Sequence, residues 1–509
     1  MYLQRSQQNR NITIQTQKKG MHDDNNISKI KIDGQNIIEN KELNIWEALI
    51  PVVILMGMLT YNIFFVEGQE WFGGYTNQII LLLGGLVSAI VGFFNKVTFS
   101  RMLAEIWENL KSIFVPTMIL LLVGALAGTW LVSGVIPAMV YYGLQVLSPE
   151  IFLPASVIIC AIISIATGSS WTTSATVGIA LIGIGTALGI NPGMIAGAVI
   201  SGAYFGDKMS PLSDTTNLAP AMAGTDLFTH IRYMSITTVP TIIITLIAFG
   251  IISMTIETTG STDVNNLLKI IDTTFNTSPW LFLVPLSVVV LILFKTKPLI
   301  ALGTGVTLAA VFAFIFQPEI LSNLSESKIG AVTNSIFSDT QITTENEKLN
   351  DLFSAGGMKG MLWTIYLVIC AMIFGGIMDA IGALARITRA LLSIATTIFG
   401  LFATTVISCL GLNVIASDQY LAIVIPGKMF KNAFDDRGLA PENLSRTLED
   451  SGTVTSVLIP WNTCGAYQSG VLGVGVGEYF VYAVFNWLSP FTTLFFAALN
   501  IKIKQLTSK

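Results

Sequence analysis

The sequence predicts an all-α polytopic membrane protein with about 12–14 transmembrane or re-entrant helices and two inverted-topology repeats. Three observations predict this fold. Hydrophobic residues make up 52% of the 509 residues and charged residues only 11%, whereas a soluble protein carries roughly 25% charged residues. Apolar blocks of about 20 residues recur, and each is long enough to cross a hydrocarbon core roughly 30 Å thick. Lys and Arg concentrate in alternate connections between these blocks, as they do in oriented membrane helices.

The same composition excludes several classes of protein. None of the four cysteines belongs to a CxxC pair and all lie in apolar segments, so we expect neither a disulfide framework nor a zinc site. Only two histidines are present, His22 and His230, which excludes a His-rich metal site. The chain contains no nucleophile–base pair, metal motif or phosphate loop. We therefore expect no enzymatic activity, no cofactor and no nucleic-acid partner.

The apolar blocks divide the chain into regions. Residues 1–44 are polar and precede the first block, so we interpret them as a mobile cytoplasmic tail. The remaining regions are two N-terminal helices (45–96), a first transporter repeat (107–255), linking loops with two helices (256–354), an inverted second repeat (355–500) and a cytoplasmic C-terminus (501–509). The blocks lie near 46–66, 76–95, 112–135, 152–168, 171–190, 193–206, 234–254, 279–294, 298–317, 361–380, 389–410, 412–427, 453–476 and 478–500.

Lys and Arg set the predicted orientation, because they are retained on the cytoplasmic side. The N-terminal tail and the C-terminus are rich in them, and the connection VEGQEWFGGY has none. Both termini are therefore predicted to be cytoplasmic. The short, Gly/Ser/Thr-interrupted blocks at 168–178 and 412–427 are either full spans or re-entrant segments, and the sequence leaves both readings open.

An internal repeat runs through most of the apolar blocks. Gly128 and Gly376 are 248 residues apart, as are Gly134 and Gly382, and Pro211 and Pro460 are 249 apart. The pairs Lys111/Lys359, Thr167/Ile415, Tyr233/Tyr482 and Pro240/Pro490 follow at offsets of 248 to 250. Five blocks fill each copy, and an odd number turns the second copy upside down in the membrane. Inverted repeats are typical of secondary transporters, whose substrate site lies where the two copies meet.

Polar residues concentrate at equivalent places of the two copies. Na⁺ prefers oxygen ligands, and interrupted helices expose carbonyl, hydroxyl and carboxylate oxygens. The candidate ion-binding and coupling residues are Asp207, Asp214, Thr215, Asn217, Asp418, Asn462 and Thr463, with Asp214 and Asp418 as the Na⁺ ligands. The candidate supporting residues are Ser169, Thr172, Thr173, Lys208 and Ser417. An acid that accepts either Na⁺ or H⁺, but never both, couples the two ions by competition.

Structural roles stay open for several of these residues. Asp207 could form a local ion pair with Lys208, and Asp214 could cap a helix. The Thr/Ser cluster at 172–176 could simply allow close helix packing. Asp418 lies in the middle of a block between apolar neighbours, which favours ion binding.

Other polar residues are interpreted as structural. Asp226 is predicted to cap the following LFTHIRYM segment. Glu449 and Asp450 precede SGTV and are interpreted as acids at a helix start, where negative charge is favourable. His230 and Arg232 are interpreted as cytoplasmic loop residues.

Three segments resemble a known family. The stretch GDKMSPLSDTTNLAPAMAGTDLFTHIRYM at 206–234 closely resembles the characteristic region of the NhaC-type Na⁺/H⁺ antiporters. ATGSSWTTSATVG at 166–178 and LIPWNTCGAYQSGVLG at 458–473 are similar to the same family. The resemblance covers roughly residues 45–500 and implies a bacterial inner-membrane antiporter that exports Na⁺ in exchange for H⁺.

A second substrate class stays open. The family includes malate–lactate antiporters, so the resemblance also allows a small carboxylate exchanged together with Na⁺ and H⁺. A carboxylate needs a cationic group or helix N-termini facing it, and Lys208 and the helix starts near Gly168 and Pro460 could serve. Lipid is a further expected partner, and homo-oligomerisation is left open.

Overall fold

The computed structural model of the protein describes residues 27–32, 35–65, 75–256, 261–294 and 296–506, and helices dominate this part of the chain. The helices up to the middle of the chain are α1 Ile45–Phe65, α2 Thr76–Phe94, α3 Phe99–Ser112, α4 Phe114–Val132, α5 Val135–Val146, α6 Pro149–Thr167, α7 Ser170–Thr173, α8 Ile179–Ala187, α9 Pro192–Met209, α10 Asp214–Ala223, α11 Leu227–Thr255, α12 Ser261–Thr274 and α13 Leu283–Leu293. The later helices are α14 Pro298–Phe316, α15 Pro318–Leu324, α16 Lys328–Phe337, α17 Glu347–Leu352, α18 Gly357–Ala380, α19 Ala383–Ser393, α20 Ile398–Ile415, α21 Gln419–Asp435, α22 Pro441–Leu448, α23 Thr463–Leu472, α24 Val476–Tyr479 and α25 Val484–Ala498.

Short segments of other geometry complete the fold. Strands β1 Ile27–Ile32 and β2 Gln35–Asn40 pair antiparallel, with Ile27 opposite Asn40. Strands β3 Thr340–Gln341 and β4 Ser354–Ala355 form a second antiparallel pair. Two π-helical turns lie at Ser174–Gly178 and Glu449–Thr453, and two 3₁₀ turns lie at Pro279–Phe282 and Ser456–Leu458.

Eight helices in the described part of the chain are long and apolar enough to span a membrane. They are α1, α2, α4, α6, α11, α14, α18 and α20. A further pair, α12 and α13, passes the same test as one span bent by 89°. The prediction of an all-α polytopic membrane protein is therefore confirmed.

Helices break where the chain needs a left-handed or extended residue. Between α6 and α7, Gly168 has φ 69°, and Ser169 caps α7 through the backbone N–H of Thr172. Between α20 and α21, Ser417 has φ 58°. A non-glycine residue in this left-handed region costs roughly 1–2 kcal/mol, so the surrounding structure holds Ser417 there. These two breaks fall in the two interrupted blocks that the sequence singled out.

Two more helix breaks contact the first two, one in each half of the chain. The chain leaves the helix at Met209 and re-enters at Asp214, and it leaves the 3₁₀ turn at Leu458 and re-enters at Thr463. Gly168 contacts the second break so closely that an added Cβ would lie 2.6 Å from Leu212 Cβ. In the other half, the Thr463 N–H donates to the Ser417 carbonyl at 3.0 Å. Each half of the molecule therefore joins two helix breaks.

Element boundaries recur at the offset of the sequence repeat. Helices α4 and α18 end 248 residues apart, and the glycines that follow, Gly134 and Gly382, have φ 82° and 80°. Helices α10 and α23 begin 249 residues apart. These recurrences support a duplicated unit. The opposite orientation of the two copies stays a prediction.

Helices α6 and α9 form the tightest helix pair near the breaks. A Cβ added to Gly202 would overlap the carbonyl oxygen of Val157, and one added to Gly206 would overlap that of Ala161. The two glycines are four residues apart, which is the spacing that lets two helices approach closely in a membrane. The last turn of α9 is fixed against α6 in this way.

The N-terminal region differs from the expected mobile tail. From Ile27 the chain forms the β1–β2 hairpin, and Glu39 of this hairpin pairs with Arg389 of α19. The Arg386 Nε also donates to the Leu43 carbonyl at 3.1 Å. The strands are separated in sequence by Asp-Gly, a dipeptide that strongly favours hairpins, so the signal was present in the sequence. The remainder of the predicted tail, residues 1–26, lies outside the described residues.

Candidate functional site

A cavity of about 660 Å³ lies where the helix breaks of the two halves meet. Its wall includes Gly168 and Ser169 from the first break and Ser213 from the second, together with Asp418 and Thr463 from the other half of the chain. Residues of the helices next to these breaks and of α3, α4, α14 and α18 contribute the rest of the wall. The cavity is therefore built from both predicted repeats, at the place where the sequence predicts a substrate site.

Carboxylates dominate the charge of this cavity. Six acidic residues line it: Asp207, Asp214, Asp418, Asp379, Glu105 and Glu108. Among the described lining residues there is no Lys, Arg or His. A concave site lined by one sign of charge concentrates ions of the opposite sign. The cavity therefore favours a cation over an anion.

Asp207 is held at the wall by the neighbouring helix. It lies in the last turn of α9, and its Oδ2 accepts hydrogen bonds from the Ser170 backbone N–H at 3.1 Å and from the Ser170 hydroxyl at 2.7 Å. The carboxylate is 9% exposed and belongs to the cavity wall. Hydrogen bonds to a carboxylate stabilise its charged form, so Ser170 prepares Asp207 to accept a cation.

Asp214 and Asp418 occupy helix starts. Ser213, not Asp214, caps α10 by accepting from the Thr216 N–H, so Asp214 is the first helical residue and is exposed to the cavity. Asp418 is the N-cap of α21, where its Oδ1 accepts from the Leu421 N–H at 3.0 Å. Asp418, predicted to lie in the middle of an interrupted block, stands at the break itself, because the left-handed Ser417 ends the preceding helix.

Hydroxyl and aromatic side chains complete the wall. Ser169, Thr172, Thr215 and Thr463 all line the cavity, as the sequence grouping suggested. Trp171 stacks on Tyr467 with ring centroids 4.0 Å apart, and this pair also belongs to the wall. The wall thus offers carboxylate and hydroxyl oxygens, the ligand types that hard cations prefer.

Four predicted site residues have structural contacts and do not belong to the cavity wall. Asn217 is exposed and donates to the carbonyls of Pro211 and Ser213, so it holds the α9–α10 break. Asn462 caps α23 through the Cys464 N–H. Thr173 donates to the Ser169 carbonyl, and Ser417 accepts from the Thr463 N–H through its own carbonyl. These contacts place the four residues at the helix breaks that shape the cavity.

Lys208 points away from the cavity and pairs across the two halves. Its Nζ contacts Asp450, and both side chains are fully buried. It also donates to the Ser489 hydroxyl at 3.2 Å. Asp450 accepts further hydrogen bonds from Thr237, at 2.8 Å, and from Thr493. The alternative of a local Asp207–Lys208 ion pair is therefore wrong, because consecutive helical residues point about 100° apart.

The structure contradicts two of the interpretations of polar residues as structural and confirms a third. Glu449 and Asp450 do not start a helix, because the helix starts at Pro441 and they open its π-helical turn. His230 and Arg232 lie within α11, and His230 is fully buried with its Nδ1 2.9 Å from the Ser445 hydroxyl. Asp226 caps α11 as predicted, and its hydrogen bonds from Thr229 lower the pKa of this exposed carboxyl.

Sequence reasoning missed the contribution of α3. The segment FSRMLAEIWENLKS was assigned to a connection, but it forms a helix that places Glu105, Glu108 and Ser112 on the cavity wall. The opposite side exposes Leu103 and Trp107. The three- and four-residue spacing of these polar residues is an amphipathic helix pattern, so a signal was available. Asp379 of α18 is the other wall acid that was not proposed.

Comparisons with known proteins show which proteins the chain resembles in sequence. A model of a family described as the Na⁺/H⁺ antiporter family matches residues 202–501. The chain is 37% identical over 467 residues to the Na(+)/H(+) antiporter NhaC of Alkalihalophilus pseudofirmus, covering 91% of this chain and 97% of that protein. It is 33% identical over 414 residues to the malate-2H(+)/Na(+)-lactate antiporter of Bacillus subtilis (81% and 86% covered). It is 34% identical over 454 residues to the arginine/ornithine antiporter ArcD of Halobacterium salinarum (87% and 90% covered).

Proposed function

Because the chain belongs to the Na⁺/H⁺ antiporter family, we propose that it is a secondary transporter that exports Na⁺ in exchange for H⁺. The observation that carries the proposal is the acidic cavity at the four helix breaks. Asp207 and Asp214 from one half and Asp418 from the other share its wall, with no basic residue among the described lining residues. The protein transports Na⁺ and H⁺ and carries out no enzymatic reaction on them.

Coupling follows from the cost of charge in a low-dielectric site. A carboxylate within a membrane protein is expensive unless a cation or a proton neutralises it. Asp214 and Asp418 bind Na⁺ together with Asp207 and the hydroxyls of Thr215 and Thr463, which supply oxygen ligands. When protons occupy the acids, Na⁺ is excluded. The same site therefore carries either Na⁺ or H⁺ across the membrane, and one gradient drives the other ion.

The transport cycle needs the cavity to open to each side in turn. Inverted repeats provide two alternative conformations related by symmetry, and the recurring element boundaries of the two halves support this arrangement. The Lys and Arg distribution supports cytoplasmic N- and C-termini. The multi-pass fold and the bacterial relatives support a place in the bacterial inner membrane.

The test uses purified protein in liposomes that contain a pH dye and carry an imposed proton gradient. External NaCl should dissipate the gradient with the wild-type protein. Asp214→Asn and Asp418→Asn should each slow this proton movement by at least about tenfold, since each removes a negatively charged ligand of the cation. Asp226→Asn is the matched control, because it changes an acid outside the cavity to another good helix cap. Equal rates for the cavity variants and this control would reject the proposed site.

An organic co-substrate is the second candidate. The cavity volume of about 660 Å³ lies within the roughly 300–1,000 Å³ typical of small-molecule sites and is far larger than one ion. The acidic wall weighs against an unaccompanied carboxylate and suits a cationic molecule better. The same liposomes therefore receive NaCl with malate, with lactate or with arginine. If proton movement occurs only when one of these is present, the protein is an organic-substrate exchanger and simple Na⁺/H⁺ exchange is wrong.

A further inference from the structure

A cluster of buried charged side chains lies directly behind the cavity. It consists of Asp207 and Lys208 at the end of α9, and Glu449 and Asp450 in the π-helical turn that follows α22. Lys208, Glu449 and Asp450 are fully buried, and Asp207 alone reaches the cavity wall. The cluster joins the two halves of the chain, because each half contributes one consecutive pair.

One carboxylate of this cluster has an oxygen without a hydrogen-bond partner among the described residues. Lys208 and Asp450 pair with each other, and Asp450 receives two further hydroxyl donors. The Glu449 carboxylate accepts one hydrogen bond from another helix of the described structure: its Oε1 accepts from the Thr215 hydroxyl at 3.0 Å. Its Oε2 is buried and has no hydrogen-bond partner among the described residues. The single lysine of the cluster is already committed to Asp450, so Glu449 lacks a basic partner in it.

A fully buried carboxylate without a cationic partner is strongly unfavourable in its charged form. Glu449 must therefore hold a proton or a cation for part of the transport cycle. Two hydroxyls, those of Thr215 and Thr453, interact with this carboxylate. The cavity, in contrast, offers several carboxylates and hydroxyls for a cation. A proton needs one acceptor oxygen, which Glu449 supplies.

A chain of hydroxyls connects Glu449 with the cavity. Ser213 Oγ accepts from the Thr216 N–H at 3.4 Å and lies 3.2 Å from Thr215 Oγ1. Because Thr215 donates to Glu449, the Ser213 hydroxyl is the donor in its contact with Thr215. Ser213 and Thr215 both line the cavity. This order of donors runs in one direction, from the cavity to Glu449.

We propose that Glu449 is the proton-carrying carboxylate of the exchange, separate from Asp207, Asp214 and Asp418, which bind the cation in the cavity. This inference rests on the proposed Na⁺/H⁺ exchange. A proton that arrives at Ser213 Oγ releases the Ser213 proton to Thr215 Oγ1, and the Thr215 proton passes to Glu449 Oε1. One proton enters the chain and one reaches the carboxylate, and the reverse sequence returns it.

The charges around Glu449 link its protonation to cation binding. Asp207 and Lys208 are near enough to interact with it electrostatically. Asp450 is its chain neighbour, and Arg446 precedes it by three residues in the same helical stretch. On α10, Asp214 precedes its hydroxyl partner Thr215. Loss of the proton adds a negative charge behind Asp207, which strengthens cation binding in the cavity. A bound cation in turn favours release of the proton.

The test separates proton coupling from cation exchange in the same liposomes. Proton movement driven by a Na⁺ gradient is measured with the pH dye, and ²²Na⁺/Na⁺ exchange is measured at equal Na⁺ concentration and equal pH. Glu449→Gln should reduce Na⁺-driven proton movement by at least about tenfold and keep ²²Na⁺/Na⁺ exchange within about threefold of wild type. Glu442→Gln is the control, because Glu442 is also a buried acid of α22 but pairs with Lys504.

Each other outcome has a defined meaning. If Glu449→Gln keeps proton coupling, or loses both activities equally while it remains folded and monodisperse, Glu449 is not a separate proton carrier. If Glu449→Gln fails to fold, Glu449→Asp replaces it. Its shorter side chain moves the carboxylate away from the Thr215 hydroxyl, so proton movement should slow while ²²Na⁺/Na⁺ exchange stays within about threefold of wild type. Equal loss of both activities, or no loss of proton movement, would reject the proposal. If the wild-type protein shows neither activity, the proposed Na⁺/H⁺ exchange itself has failed.

Discussion

Ser170 shows how a single residue prepares a carboxylate for a cation. It donates both its backbone N–H and its hydroxyl to one oxygen of Asp207. Lys208, which follows Asp207 in the chain, does not stabilise this carboxylate, because it points to the other half of the chain and pairs with Asp450. Two neighbours in sequence thus serve different purposes, one at the cavity and one in the packing between the halves.

Removing the Ser170 hydroxyl should therefore weaken cation binding. Ser170→Ala keeps the backbone hydrogen bond and deletes one donor to a charged group, which is worth about 1.5–3 kcal/mol. Loss of part of this free energy from Na⁺ binding should raise the apparent KM for Na⁺ at fixed pH roughly 3–30-fold. The KM is measured by Na⁺ titration of proton movement. Ser174→Ala is the matched control, since the buried Ser174 hydroxyl has no partner among the described residues and lies outside the cavity wall. An unchanged KM in Ser170→Ala would show that this hydrogen bond does not tune Asp207.

At the scale of elements, the contact between α6 and α9 positions the first pair of breaks. Close approach depends on Gly202 and Gly206, whose missing side chains admit the carbonyls of Val157 and Ala161. The contact fixes the end of α9, where Asp207 and Lys208 diverge. Small residues at a helix interface commonly allow close backbone approach in membrane proteins.

Gly206→Ala should consequently destabilise the protein. Overpacking of a tight contact costs about 1–3 kcal/mol, so we expect a lower melting temperature in detergent and a weaker yield of folded protein. Gly250→Ala in α11 is the control, because nothing lies within 4 Å of a Cβ added there. Equal melting temperatures of the two variants would contradict the role assigned to the α6–α9 contact.

For the whole molecule, the inverted repeat predicts on which side of the membrane equivalent residues lie. Lys111 and Lys359 are 248 residues apart and occupy equivalent positions in the two proposed copies. Inversion places them on opposite sides of the membrane. Lys111→Cys should therefore react with an impermeant maleimide only from the cytoplasmic side, and Lys359→Cys only from the outside.

The four natural cysteines are free and buried, so they give little background in this experiment. Both lysines have exposed side chains, which makes the introduced thiols accessible. Labelling of both variants from the same side would exclude inverted copies and would leave a parallel duplication. Proton transport by each variant shows that the labelled protein is functional.

Much of the fold could be read from local sequence. Apolar length and the absence of charge predicted the membrane helices, because the cost of placing polar groups in lipid acts on each segment by itself. The interrupted blocks also predicted the breaks after Thr167 and Ile415, since Gly168 and the Gly/Ser/Asp-containing stretches favour them. The helix α3 and the β1–β2 hairpin carried recognisable patterns that were assigned to a connection and to a tail.

Local sequence thus specifies the membrane class, the helix breaks and the polar residues gathered at them, because these depend on segment composition and backbone preferences. Which acids share the cavity, and which acid pairs with Lys208, depends on how distant segments pack together. The partner of Lys208 lies 242 residues away, and Glu105 and Glu108 join the wall from a helix outside both sets of breaks. Periodicity specifies the face on which a side chain lies, but the partner it meets is set by how the helices pack.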